Sequence, residues 1–122
     1  MSTGVREFED LAVWQQSRQL CNQIYAVTRG HAFSRDFGLK DQIQRSAVSV
    51  LSNISEGYES RTRGLYIDYL GRAKGSAGEV RGQLYIALDA GYIERHAFEQ
   101  LYALAKNCSS MLHNLITALQ RK

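Results

Sequence analysis

The sequence predicts an all-α protein, folded as an antiparallel up-down-up-down four-helix bundle. None of its 122 residues is proline, whereas proteins built of strands and short loops usually carry prolines in their turns. Four segments have apolar residues at helical spacings of three and four, and short connections join them. In the last segment an unbroken heptad seam runs through Phe98, Leu101, Ala105, Cys108, Leu112, Leu115 and Leu119.

The first predicted helix covers about residues 9–28, and Gly30 marks its end. Its apolar face contains Leu11, Trp14, Cys21, Ile24 and Val27. Residues 31–38 are predicted to form a loop, in which Phe33 and Phe37 pack under the end of the bundle.

The second predicted helix covers about residues 39–55, and Gly57 supplies its stop signal. Its buried side is predicted to contain Ile43, Ala47, Val50 and Ile54. A linker over 58–63 follows, in which Ser60 or Thr62 caps the third helix. That helix ends near Ala90 with Gly91 at the C′ position. The fourth helix covers about 94–121, and its seam is widened by Leu104, Met111 and Ala118.

Length and composition fit one domain over residues 9–122, preceded by a flexible N-terminal segment over 1–8. No apolar run approaches the ~20 residues that span a bilayer, so we expect no membrane association. The N-terminus has no signal-peptide core, which predicts a cytoplasmic protein. Cys21 and Cys108 fall on apolar helix faces, so the sequence favours buried free thiols over a disulfide.

Spacings that would indicate chemistry are missing. None of the three histidines, His31, His96 and His113, follows a glutamate at the Glu-x-x-His spacing of di-iron bundles. The two cysteines stand alone rather than at zinc-ligand spacing. Four glycines, at positions 71, 75, 78 and 82, lie within a helical pattern and not in a phosphate-binding loop. We therefore predict no metal, no cofactor, no catalytic residue and no enzymatic activity.

Each of those four glycines costs about 1 kcal/mol against alanine inside a helix. They are interpreted as sites of close helix approach, because small residues let helix backbones pack tightly. Polar and small residues also repeat at helical spacing along the second and third helices. This candidate polar interface comprises Gln42, Arg45, Ser49, Asn53, Glu56, Asp68, Arg72, Ser76 and Glu79.

Two explanations of these stripes stay open: solvated helix faces, or a half-buried hydrogen-bonded surface. The second is favoured because solvated faces rarely need serine and asparagine, and the surface could lie between the two helices or between subunits. Counting along a hairpin places Asn53 near Asp68, and Ser49 near Arg72. The same count places Gln42 and Arg45 near Glu79.

Basic residues suggest a second candidate site. Arginine outnumbers lysine by eleven to four at a net charge of +3, and arginine suits planar recognition of phosphate. The candidate nucleic-acid contacts are Arg61, Arg63, Lys74 and Arg81. Three more basic residues, Arg29, Arg35 and Lys40, lie near the opposite end of the predicted bundle. Base stacking is one role for Tyr58, Tyr66 and Tyr69, and core packing is the other.

Several motifs together resemble the four-helix-bundle family encoded within 23S rRNA intervening sequences. The matching segments are Phe8-Glu9-Asp10-Leu11 with Val13-Trp14-Gln15, residues 42–57, Ala73-Lys74-Gly75-Ser76 with Glu79, and Gly91-Tyr92-Ile93. Ser55 and Arg72 depart from the family pattern. The resemblance implies an up-down bundle that assembles into a ring-like homopentamer, in bacteria, with no assigned role and no catalytic residue.

More distant relatives resemble the accessory proteins of diversity-generating retroelements, which bind a reverse transcriptase and nucleic acid. The resemblance and the arginine excess lead to one hypothesis: a non-enzymatic oligomer that binds RNA, DNA or a nucleic-acid-processing protein. The alternative is a protein–protein scaffold that never contacts nucleic acid.

Overall fold

The computed structural model describes residues 4–122, which form five α-helices and no strand. The helices are α1 (Ala12–Val27), α2 (His31–Arg35), α3 (Phe37–Tyr58), α4 (Arg63–Asp89) and α5 (Arg95–Gln120). A 3-10 helix, Phe8–Asp10, precedes α1. Residues 1–3 of the predicted flexible segment lie outside the described residues. The all-α prediction is confirmed.

The four long helices share a hydrophobic core. Helix α1 packs mainly against α3 and α5, and α4 packs against the same two helices. The predicted buried side of α3, with Ile43, Ala47, Val50 and Ile54, is fully buried. The seam of α5 is buried from Phe98 to Leu112 and half-buried at Leu115 and Leu119. Removal of these side chains from water stabilises the bundle by about 25 cal/mol for each Å² of apolar surface.

The glycines of α4 do not mediate close helix approach within the chain, so this interpretation was wrong for the helices of a single chain. A Cβ atom built at position 71, 75, 78 or 82 would meet nothing within 4 Å. The reason is the position of the apolar stripe: Leu70, Ala77 and Leu84 turn one side of α4 into the core, and the glycines fall on the opposite side at 100° per residue. The outer face of α4 therefore has four positions without a side chain.

Close helix approach occurs instead at Gly57, which does not end its helix as predicted. Helix α3 continues through Gly57 to Tyr58, and its C-cap is Glu59. A Cβ at position 57 would come within 2.8 Å of the Tyr69 Cβ and 3.1 Å of the Tyr66 ring. The absence of a side chain at position 57 lets α3 and α4 pack closely near the turn that joins them.

The segment predicted as a loop over 31–38 contains the one-turn helix α2 and the start of α3. Phe33 is fully buried, as predicted, and it stacks on Tyr92 with 5.2 Å between ring centroids. Phe37, however, is 73% exposed. It is the first residue of α3, and the direction in which that helix starts keeps its ring outside the core.

The helix ends follow capping rules. Thr62 caps α4 by accepting a hydrogen bond from the Leu65 amide, and Gly91 adopts a φ of 78° after α4, both as predicted. Asp36 caps α3 by accepting from the Leu39 amide at 3.1 Å. The Tyr92 hydroxyl donates to the same carboxylate at 2.8 Å, which links the start of α3 to the α4–α5 connection.

The Asp36 carboxylate makes a testable contribution to acid stability. Its hydrogen bonds with the Leu39 amide and then Tyr92 lower the Asp36 pKa below its ordinary value of 3.8. The unfolded chain thus binds this proton more readily, and the stabilisation is present above the ordinary pKa and lost as pH falls through the folded value. We expect Asp36→Asn to be less stable than the parent at pH 7 and equal to it well below pH 3.8, as measured by urea denaturation. Asp41→Asn is the control, and a pH-independent difference for Asp36→Asn would contradict the assignment.

Both cysteines are buried and free, as predicted. The Cys21 thiol donates to the Ala47 carbonyl oxygen at 3.1 Å, and the Ser17 hydroxyl lies 3.9 Å from the Cys108 sulfur. Burial, and then the neighbouring Cys108, raise the pKa of Cys21 to about 11. Burial also raises the pKa of Cys108. Both thiols therefore stay protonated at neutral pH.

Candidate nucleic-acid interface

A basic groove lies between α4 and α5 and has a volume of about 360 Å³. It is lined by Lys74, Arg81, Lys106, Ser109, Ser110, His113 and Asn114. Three of these side chains are cations and none is acidic, while the others offer hydroxyl, amide and imidazole groups. The groove thus combines positive charge with hydrogen-bond donors, which is the chemistry that binds phosphate.

The spacing along α4 explains why its basic residues fall together. Arg63, Lys74 and Arg81 are separated by 11 and 7 residues, so at 100° per residue they lie on the same side of the helix. Over 18 residues at 1.5 Å each, this side extends for about 27 Å. Of the predicted contacts, Lys74 and Arg81 line the groove, Arg63 continues its line, and Arg61 is exposed in the α3–α4 connection.

The groove cations are not neutralised by carboxylates. Among residues 4–122 the ion pair formed within 4 Å joins Arg45 and Asp41, both exposed and one turn apart on α3. Arg81 is half-buried; it donates to the Ser109 hydroxyl at 3.4 Å, and its guanidinium lies 5.8 Å from the Tyr102 ring centroid. Both contacts hold the Arg81 side chain in place, so binding an anion there would cost less side-chain entropy.

The residues of the candidate polar interface fall into two groups: hydrogen-bonded residues at its centre, and charged or amide residues toward its ends. Ser49 and Ser76 share a hydrogen bond of 2.8 Å across α3 and α4, and Asn53 donates to the Ser49 hydroxyl at 3.0 Å. Ser49 thus meets Ser76, one turn beyond the Arg72 that hairpin counting indicated. Arg72 instead lies over the Tyr69 ring at 5.0 Å.

The charged and amide members border a groove of about 280 Å³ between α3 and α4. Gln42, Arg45 and Glu79 line it together, as the count along the hairpin placed them. The Gln83 Oε1 atom in the same groove is buried and has no hydrogen-bond partner among the described residues. Glu56 and Asp68 are exposed. Whether these residues form a subunit interface stays a prediction.

Of the two roles left open for Tyr58, Tyr66 and Tyr69, the structure favours packing. Tyr66 meets Tyr58 edge-on at 6.0 Å, and burial, then Tyr58, raise its pKa to about 12. Tyr69 packs against Gly57. The other basic set, Arg29, Arg35 and Lys40, is distributed around α2, away from the α4–α5 groove.

The part of the chain that the structure describes has no group of three or more His, Cys, Asp or Glu side chains arranged to hold a metal. No helix among residues 4–122 is both long enough and apolar enough to cross a bilayer.

Comparison with known families identifies the fold's relatives. The sequence model of a family described as 23S rRNA-intervening sequence protein matches residues 9–114. The chain belongs to this family. The resemblance drawn from its motifs is thereby confirmed.

A solved structure with a similar fold is that of a protein of unknown function from the S23 ribosomal protein family of Bacteroides thetaiotaomicron VPI-5482. It superposes with a TM-score of 0.80 at 24% identity, over 86% of this intervening-sequence family member and 95% of the other chain. No curated protein matches the chain by sequence. This likeness supports the fold.

The α5 side of the groove in this intervening-sequence family member was missed by sequence reasoning. Lys106, Ser110 and His113 follow one another at spacings of four and three beside the apolar seam. That regular spacing was the available signal, but the buried stripe dominates the pattern of α5. The polar face of α5 acquires a partner only when this helix packs against α4.

Proposed function

We propose that this protein is a non-enzymatic, cytoplasmic oligomer that binds nucleic acid through the basic groove between α4 and α5. The observation that carries the proposal is the set of three cations, Lys74, Arg81 and Lys106, that lie in one groove without a carboxylate partner among the described residues. Cations left unpaired in a concave surface favour binding of a phosphate chain, because each neutralised phosphate releases condensed counterions.

The groove also suits the phosphate backbone of a nucleic acid better than a small metabolite. Arg63 continues the basic line beyond the groove along α4, and the whole line is about 27 Å long at 1.5 Å per residue. A polyanion can contact charges spread over such a length, whereas a single phosphate cannot.

The test is a fluorescence-anisotropy titration with structured RNA at low salt, repeated at increasing salt. We expect binding at micromolar protein, with the logarithm of affinity falling linearly with the logarithm of salt concentration. Lys106→Ala should weaken binding to all sequences and reduce the salt slope by about one. Lys40→Ala, outside the groove, is the matched control. Absence of binding, or binding independent of salt, would refute phosphate contact.

We further infer an up-down-up-down helix order and assembly of the chain into a ring-like homopentamer. The order is supported by contacts at two levels of the α3–α4 pair: Gly57 meets Tyr66 near the connecting turn, and Ser49 meets Ser76 at the middle of both helices, so the two helices run in opposite senses. Assembly is supported by the outer face of α4, where exposed glycines adjoin Ile86, which is 55% exposed. Such a face allows the backbone of a second copy to approach closely.

Light scattering tests assembly, and the expected mass is well above the 13.8 kDa of one chain. Gly75→Leu places a bulky side chain on the outer face of α4 and should lower that mass without unfolding the chain, because a Cβ there meets nothing within 4 Å. Arg72→Ala and Glu79→Ala should weaken assembly through the polar interface. A monomeric parent protein, or full assembly of all three variants, would contradict the interface.

The second candidate is a scaffold that binds another protein and no nucleic acid. Tyr25 and Val48, each 39% exposed, line a groove between α1 and α3 with Gln44 and Arg45. A pull-down from nuclease-treated lysate separates the two functions. Partners retained after nuclease treatment favour the scaffold, or a nucleic-acid-processing protein that is bound directly.

A further inference from the structure

We propose that the strand bound in the basic groove is single-stranded, and that Tyr85, held beside Tyr102, stacks with its bases. This inference rests on the proposed nucleic-acid function and specifies its ligand. The groove residues Arg81 on α4 and Lys106 on α5 each lie one helical turn from a tyrosine, at Tyr85 and Tyr102. Because α4 and α5 are consecutive helices joined by a short connection, both tyrosines lie toward the same end of the groove. The Arg81 guanidinium lies 5.8 Å from the Tyr102 ring, and the two tyrosine rings are 5.7 Å apart.

Tyr85 is unusual among the large side chains of α4 because it is 50% exposed yet held by other rings. It packs at 4.9 Å against Phe98, which is buried, and meets Tyr102 edge-on. A ring that is fixed on one side and open on the other offers a face for stacking at little cost in side-chain entropy. No hydrogen bond anchors the Tyr85 hydroxyl to another described residue.

A site that combines basic residues with exposed aromatic faces favours single-stranded nucleic acid over duplexes. Proteins that bind single strands without sequence preference join a basic groove, which follows the backbone, to aromatic rings on which bases stack. A duplex keeps its base faces inside its own stack, so Tyr85 would gain nothing from it. The phosphates of a duplex also lie on the outside of a wide double helix. Arg81 is half-buried in the groove, where a single strand reaches it more easily than a duplex does.

The dimensions agree with a short stretch of strand. From Lys74 to Tyr85 the line covers 11 residues, or about 16 Å at 1.5 Å per residue. The volume of about 360 Å³ is at the lower end of sites that hold a compact organic ligand. The groove thus has room for about one nucleotide next to its cations. The bases of the nucleotides that follow along the strand reach Tyr85, beside Tyr102.

The tyrosines next to the groove are not the ones that the sequence suggested for base stacking. Tyr58, Tyr66 and Tyr69 pack at the α3–α4 turn, where their rings contact the protein. Tyr85 and Tyr102 are the aromatic residues that the fold places next to the unpaired cations.

The experiment compares an unstructured oligonucleotide, a thymidine homopolymer of about 15 nucleotides, with a blunt duplex of the same length by fluorescence anisotropy at fixed salt. We expect the single strand to bind at least tenfold more tightly. Tyr85→Leu keeps an apolar contact with Phe98 but removes the stacking face, so it should weaken single-strand binding by about tenfold and leave duplex binding unchanged. Tyr25→Leu, a substitution of an exposed tyrosine on α1, is the matched control.

The outcomes separate this inference from the proposed function. If neither oligonucleotide binds at micromolar protein, the nucleic-acid function itself fails. If the duplex binds as tightly as the single strand and Lys106→Ala weakens both, the groove binds phosphate and the single-strand inference is overturned. Unchanged single-strand affinity in Tyr85→Leu, with circular dichroism showing a folded variant, overturns the stacking role.

Discussion

Replacement of Phe33 by alanine is expected to lower the free energy of unfolding by about 3–5 kcal/mol. The Phe33 ring is fully buried in the core cluster that also contains Leu20, Ile24 and Ile93, and it stacks on Tyr92. Its removal would leave a cavity where α2 packs against the bundle, and the short α2 has no other buried side chain to fill it. Urea denaturation monitored by circular dichroism measures the change.

Phe37→Ala is the matched control. Phe37 lies four positions after Phe33, and the sequence predicts that both rings pack under the end of the bundle. Phe37 is 73% exposed, and its ring lies 5.3 Å from the Lys40 ammonium. We expect this variant to stay within about 0.5 kcal/mol of the parent, as do most surface substitutions. Equal losses for both variants would mean that Phe37 is buried in solution as deeply as Phe33, which contradicts the exposed start of α3.

Gly57→Ala is expected to destabilise the fold by about 1–3 kcal/mol, the usual cost of overpacking. The added methyl would lie 2.8 Å from the Tyr69 Cβ. That atom is joined directly to the backbone of α4, so a rotamer change cannot relieve the clash and the two helices must separate. This expected loss is the net change, after the gain of about 1 kcal/mol that alanine normally brings to a helix interior.

Gly38→Ala on the same helix is the control. A Cβ at position 38 meets the Asp36 carboxylate at 3.8 Å, an ordinary contact. This variant should therefore be as stable as the parent or more stable by up to about 1 kcal/mol. If Gly57→Ala were also stabilising, the close contact between α3 and the tyrosines of α4 would not exist in solution.

Apolar periodicity was sufficient to predict the helical class and most of the core. Burial is a property of a whole helix face, so Ile43, Val50 and Leu112 could be assigned from spacing alone. The glycine positions could not be interpreted in this way. A glycine leaves the same pattern whether it admits a neighbouring helix, as at position 57, or faces outward, as at position 75. Only the packing of α3 against α4 distinguishes the two cases.

The candidate site was predicted in part for a similar reason. Lys74 and Arg81 could be predicted from charge and spacing on one helix, but a groove requires two helices. Lys106 and His113 belong to a helix that is distant in sequence, and the rotation of α5 about its axis decides whether they border α4. Tyr85 was missed because an aromatic residue at helical spacing is normally part of the core, whereas this one is half outside it.

The two buried thiols make the kinetics of opening measurable in the unmodified protein. Thiol reagents react with the thiolate, and Cys21, with a pKa of about 11, forms almost none at neutral pH while it remains in the core. Labelling must then wait for an opening that exposes the sulfur. At low reagent concentration the labelling rate reports the equilibrium between closed and open forms, and at high concentration it reports the rate of opening. Because Cys21 and Cys108 lie on α1 and α5, their relative rates would show whether the bundle opens as one unit or releases one helix first.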